Sequence, residues 1–112
     1  MKYLITAKQR KASQSTLYFE FQKGHFKGKF WKEDSVYLHA DAFDRLDLYD
    51  LLSATIPEFC YYSTTQISPD QYETLKSTAL NLSGEIAALV EELDVWVAEC
   101  YRTENCFTIL GI

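Results

Sequence analysis

The 112 residues contain two histidines, three cysteines and four glycines, and that scarcity removes most routes to catalysis. Cys60, Cys100 and Cys106 are odd in number and form no CxxC pair, so neither a zinc site nor a thiol-exchange motif is expected. Glycine is too sparse for a phosphate-cradling loop, and no GxSxG, HExxH or DxDxDG pattern occurs. No cofactor and no metal are therefore expected. The apolar run nearest the start is only Tyr3-Leu4-Ile5, against the ~7–15 residues a secretory segment needs. No stretch approaches the ~20 apolar residues of a membrane span. These absences predict a cytoplasmic protein with reduced thiols and no membrane partner. There is no proline- or serine-rich linker and no repeat, so the reading is a single domain over 1–112.

Bases are scarce after residue 32. Met1 to Lys32 holds eight Lys/Arg against Glu20 alone, a net of +7, while Glu33 to Ile112 holds fifteen acids against Arg45, Lys76 and Arg102, a net of −12. Net charge bears on solubility and partner choice rather than on fold. Aromatics are plentiful at 15%, and with 47% hydrophobic residues they supply material for one core.

The pattern along the chain predicts an α+β fold. Its antiparallel sheet has about five or six strands, and a short helix and one long bent helix pack on one face. Strand signals cover Lys2 to Ala7, Thr16 to Gln22, a third run through Phe26, Gly28 and Phe30, and Ser35 to Ala40. In the second run Leu17, Phe19 and Phe21 point inward and Tyr18 and Glu20 outward. In the fourth, Val36 and Leu38 point inward. The polar Lys8 to Ser15 segment reads as a loop, Phe59 to Tyr62 as a strand or extended loop, and Phe107 to Leu110 as a last buried strand. A helix is predicted from Asp41 or Asp44 to Ala54, ended before Pro57. Ser68-Pro69-Asp70-Gln71 carries an N-cap, a first-turn proline and a capping box. From Tyr72 through Leu75, Ala79, Leu82, Ile86, Leu89, Leu93 and Trp96 to Cys100, apolar residues step by three and four. That phase predicts one helix from Pro69 to about Arg102, bent at Ser83-Gly84, laid across the sheet with Leu80, Val90 and Val97 broadening its buried face. A coiled-coil dimer is the alternative use of the same stripe, so monomer and dimer both stay open at this point.

Three constellations merit weighing. His39 next to Asp41 has the elements of a general-base couple, but no nucleophile stands near it in sequence, which points away from an enzyme. The Lys8 to Lys11 loop with Lys27, Lys29, Lys32, Tyr18 and Trp31 has the texture of a single-strand nucleic-acid platform. The −12 on the remaining chain opposes a polyanion. The acidic helices are more extensive. Asp41, Asp44, Asp47 and Asp50 recur every third residue, together with Tyr49, and Glu91, Glu92 and Asp94 lie on the long helix. Asp44, Asp47 and Asp50 forgo the i,i+3 and i,i+4 ion pairs that a purely structural helix would use. These eight residues are the candidate binding surface for a basic protein. Tyr37, Tyr61 and Tyr62 would add anchors wherever they are exposed, because hot spots favour aromatic rings over plain charge.

The stretch Ile56-Pro57-Glu58-Phe59-Cys60-Tyr61-Tyr62-Ser63-Thr64-Thr65-Gln66-Ile67-Ser68, the Tyr72/Leu75 helix and the ending Phe107-Thr108-Ile109-Leu110-Gly111-Ile112 together cover roughly the C-terminal half. This half resembles small bacterial immunity proteins of contact-dependent inhibition and other polymorphic toxin systems. The resemblance implies a cytosolic, non-enzymatic protein that binds a cognate toxin, often a basic nuclease domain, and occludes its active site. No binding residue carries over, because the matching positions read as core and turn. The basic first third departs from a uniformly acidic inhibitor.

Overall fold

The computed structural model describes residues 1–82 and 84–112. In chain order the elements are β1 (Ile5–Thr6), α1 (Ala7–Ser13), β2 (Tyr18–Lys23), β3 (Val36–His39), α2 (Ala40–Arg45), α3 (Leu48–Thr55), β4 (Thr64–Ile67), α4 (Pro69–Leu80), α5 (Gly84–Cys100) and β5 (Phe107–Leu110). The strands form one antiparallel sheet in the order β1-β3-β2-β5-β4, so the fold is α+β with five strands. Phe21 pairs with both Val36 and Ile109, and Ile109 pairs in turn with Thr65. Directly opposed residues share a face, so Phe19, Phe21, Val36, Leu38, Phe107 and Ile109 line one side. Helices α2 to α5 close that side, and Phe43, Leu52, Leu75, Leu93 and Val97 complete its core.

The helix starts follow their sequence signals. Ser68 Oγ accepts from the Gln71 N–H, and the Gln71 amide oxygen accepts from the Ser68 N–H, closing the expected capping box. The apolar stripe after it belongs to two helices rather than one. Asn81 terminates α4, and its side-chain amide donates to the Ser77 carbonyl at 3.0 Å. The phase persists because α4 and α5 lay their apolar sides on the same core, not because they share an axis. Leu80 and Leu82 are exposed at the junction, while Val90 and Val97 are buried. Of the expected bend at Ser83-Gly84, Ser83 lies outside the described residues.

Three expectations for the first third are corrected. Lys8 to Ser13 is helical, because Thr6 and Gln9 form a second capping box at the start of α1. The run through Phe26, Gly28 and Phe30 is not a strand: Gly28 (φ 89°) and Trp31 (φ 59°) take left-handed conformations that interrupt a regular ladder. Residues 24–35 instead form a strap over the second face of the sheet. Leu17 is 52% exposed, whereas Glu20, expected outside, is buried beneath the strap.

Polar side chains hold that strap where a strand ladder would otherwise do so. Glu20 accepts from the Trp31 and Lys32 N–H groups, each at 2.8 Å, and from the Ser35 hydroxyl at 2.7 Å. The Gln22 amide donates to the Lys29 carbonyl at 2.8 Å, and the Tyr37 hydroxyl donates to the Lys32 carbonyl at 2.7 Å. Helix α1 contributes on this same side: the Arg10 guanidinium lies 4.2 Å from the Trp31 ring centroid. The helices are therefore divided, four on the apolar face and α1 with the strap.

Candidate interaction surface

The aspartate series is displayed because the apolar residues between its members are drawn inward. Phe43 and Leu46, then Leu48, Leu51 and Leu52, are buried, which turns Asp41, Asp44, Asp47, Tyr49 and Asp50 to the exterior. The expected single helix is broken in two. Asp47 adopts a left-handed conformation (φ 54°) as the N-cap of α3, a position Asp tolerates better than most residues. Asp44 and Asp47 are thus not neighbours on one helical stripe; they flank a helix junction, where like charges separate more easily.

His39 resolves as a helix cap. Its Nδ1 accepts from the Asp41 N–H at 3.1 Å, fixing the first turn of α2, and its ring meets Tyr18 edge-on at 4.9 Å.

Aromatic rings root the patch in the core. Phe43 stacks on Phe19 with centroids 3.9 Å apart, and Tyr61 meets both rings edge-on at 5.6 and 5.1 Å. Tyr62 lies against Tyr61 at 4.9 Å, and Tyr49 lies 6.3 Å from Tyr61. Tyr62 is 77% exposed and, among the described rings, rests on Tyr61 alone, whereas Tyr49, 49% exposed, lies against both Phe59 and Tyr61. Rings held in this way lose little freedom on binding. The Tyr61 hydroxyl donates to Asp44 Oδ1 at 3.2 Å. Burial, then the Asp44 charge, push that hydroxyl above its ordinary titration range, so it remains a donor. Gly111 sets the height of this segment. Its N–H donates to the Ser63 carbonyl at 2.9 Å, and a Cβ there would lie 2.0 Å from the Tyr61 carbonyl oxygen.

The candidate residues on α5 do not join this group. Glu92 spends its carboxylate on the Lys2, Tyr3 and Leu4 N–H groups, tying down the strand that leads into β1. Asp94 accepts from the Tyr72 hydroxyl at 2.8 Å and pairs with Lys76 at 3.1 Å. Glu91 is exposed on α5. Conversely, Tyr61 and Tyr62 belong to the patch, whereas Tyr37 is buried under the strap and offers no exposed anchor.

Quenching of the acidic surface by the basic first third is slight. Among the described residues the Lys/Arg–carboxylate contacts are Lys23–Glu99 at 3.9 Å, Arg45–Glu85 at 2.9 Å and Lys76–Asp94 at 3.1 Å, and only the first draws on an N-terminal cation. None involves Asp41, Asp44, Asp47 or Asp50. The molecule measures 34 × 29 × 25 Å, several times the ~8 Å Debye length at physiological salt, so charges on opposite sides of it are screened from one another. The Lys/Trp surface takes a different form from the one expected. Trp31 stacks on Tyr37 at 5.9 Å and is covered by Arg10, while Lys27 and Lys29 project from the strap rather than alternating along a strand. No family model, curated protein or solved structure matches this chain, so the surface stands on its own geometry.

Proposed function

We propose that this protein is a non-enzymatic inhibitor of the immunity type, which binds a basic toxin domain stoichiometrically and blocks its active site. The observation that carries the reading is the patch of Asp41, Asp44, Asp47 and Asp50 around the rooted rings of Tyr49, Tyr61 and Tyr62. Its carboxylates are exposed, Tyr61 packs on the core, and Tyr49 and Tyr62 lie against Tyr61. Exposed carboxylates without Lys or Arg partners raise the encounter rate with a cationic surface and orient it. The tyrosines supply anchors of the kind that dominate binding energy once contact is made. Against a nuclease, the aspartates stand where substrate phosphates would lie. The C-terminal resemblance to small immunity proteins points the same way.

The test is co-expression with the protein encoded immediately upstream, the expected toxin. Growth rescue and a 1:1 complex on size exclusion are expected. A cell that dies despite soluble inhibitor, with no complex recovered, would reject the reading. A polyanion reading of the strap predicts instead a shift of single-stranded oligonucleotide at low salt, abolished in the Lys29→Ala/Trp31→Ala double variant.

A further inference from the structure

We infer that the outer edge of β4 receives an extended segment of the cationic partner as a sixth strand. This deepens the reading above and rests on it. The two edges of the sheet are treated differently. At the β1 edge the strand is two residues long, α1 follows directly, and the Lys2, Tyr3 and Leu4 N–H groups are already bonded to Glu92. The β4 edge has no such closure. The Gly111 N–H bonds the Ser63 carbonyl, and the same register pairs Thr65 with Ile109 and Ile67 with Phe107. Alternation therefore turns the N–H and C=O groups of Thr64 and Gln66 away from β5. Among the described residues, none of these four backbone groups has a hydrogen-bond partner. Nor does Thr64-Thr65-Gln66-Ile67 carry the lysine, proline or other charge with which edge strands are usually guarded.

What lies beside the edge specifies the occupant. Thr64 and Gln66 line an open cleft together with His25, Phe26, Glu58 and Thr108. Alternate side chains of an added strand would enter it, and Glu58 there favours Lys or Arg. The edge begins two residues after Tyr62, so a cationic chain drawn to the aspartate patch arrives next to unpaired backbone groups. Main-chain bonds then supply affinity, and the cleft supplies selectivity. A second copy of this chain fits less well, because edge-to-edge pairing would join two molecules of net charge −5 with Glu58 near the seam of each.

Amide hydrogen exchange on the full chain, alone and with catalytically disabled upstream toxin domain, tests this. In the isolated chain, Thr64 and Gln66 amides should exchange at least 10-fold faster than those of Thr65 and Ile67; slow exchange there means the edge is covered and overturns the inference. In the complex, Thr64 and Gln66 should slow at least 10-fold. Gln66→Pro removes an outward N–H while sparing the bonds to β5, and should weaken the complex at least 10-fold, whereas Gln66→Ala should weaken it less than 3-fold. A complex in which Thr64 and Gln66 stay unprotected and Gln66→Pro binds like wild type rejects the sixth strand but leaves the inhibitor reading standing. No complex at all rejects both. Concentration-dependent protection of Thr64 and Gln66 in the chain alone, with a sedimenting dimer lost in Gln66→Pro, assigns the edge to a second copy and likewise overturns the inference.

Discussion

Replacing Glu20 with glutamine should unclasp the strap without leaving a cavity, since the two side chains are nearly equal in size. The carboxylate accepts from two backbone N–H groups and the Ser35 hydroxyl, with the Tyr37 hydroxyl 3.3 Å from Oε2, and its residue is 2% exposed. An amide turned into the same place offers one acceptor oxygen and sets its own NH2 against the remaining donors. A hydrogen bond to a charged acceptor contributes about 1.5–3 kcal/mol, and a buried donor left unpaired costs about 1–3 kcal/mol. The Trp31 and Lys32 N–H bonds are only part-buried, so about 1 kcal/mol for each donor is the better figure. The sum is about 2–3 kcal/mol, which corresponds to a fall in Tm of roughly 10–20 °C for a domain of this size. The loss should show in the strap itself: Trp31 and Lys32 amides should exchange roughly 30- to 100-fold faster under conditions where the fold stays intact. Urea unfolding followed by circular dichroism and residue-resolved exchange measure both quantities. If Glu20→Gln lies within 0.5 kcal/mol of wild type and the two amides stay protected, Glu20 does not hold the strap and the left-handed turn at Trp31 has another cause.

Reversing Asp44, Asp47 and Asp50 to lysine should slow association with the upstream toxin domain about 10- to 100-fold at low salt and much less at high salt, because steering is screened. A stopped-flow on-rate unchanged at low salt would move the interface elsewhere. Alkaline pH should destabilise the fold. Burial raises the Tyr37 and Tyr72 hydroxyls above their ordinary 10.0, aided by the nearby Glu20 and Asp94 charges respectively. The unfolded tyrosines then release protons that the folded ones retain, so stability is full below about pH 10 and falls above it, each group costing up to about 1.4 kcal/mol per pH unit. A urea midpoint that stays level from pH 9 to 11.5 would contradict this, and Tyr72→Phe should reduce the slope. Of the three cysteines, Cys60 is exposed while Cys100 and Cys106 are buried, with burial pushing both buried thiols up. Ellman's reagent should thus titrate one thiol rapidly in the native protein and three after denaturation; three fast native thiols would refute the packing around β5.

Where sequence and structure agree, the determinants are short-range. The Ser68 to Gln71 capping box, the alternation of Phe19 and Phe21, and the apolar Phe107 to Leu110 strand each act within a few residues, and each is found where expected. The Thr6/Gln9 box was equally readable, but the surrounding polarity of Lys8 to Ser13 masked it. What the tertiary structure alone decided are the partnerships of groups far apart in sequence. Glu20 looked solvated because its strand alternates, yet residues 31 to 35 fold back onto it. Glu92 and Asp94 looked available because a helix face is usually solvated, yet the chain start and Tyr72 occupy them. Asp41, Asp44, Asp47 and Asp50 kept their outward display because the apolar residues between them point into the core and, among the described residues, no Lys or Arg forms an ion pair with them. Composition set the charge of each segment; the three-dimensional path of the chain determined which carboxylates found a donor, since a hydrogen bond depends on a contact at about 3 Å that local pattern does not encode.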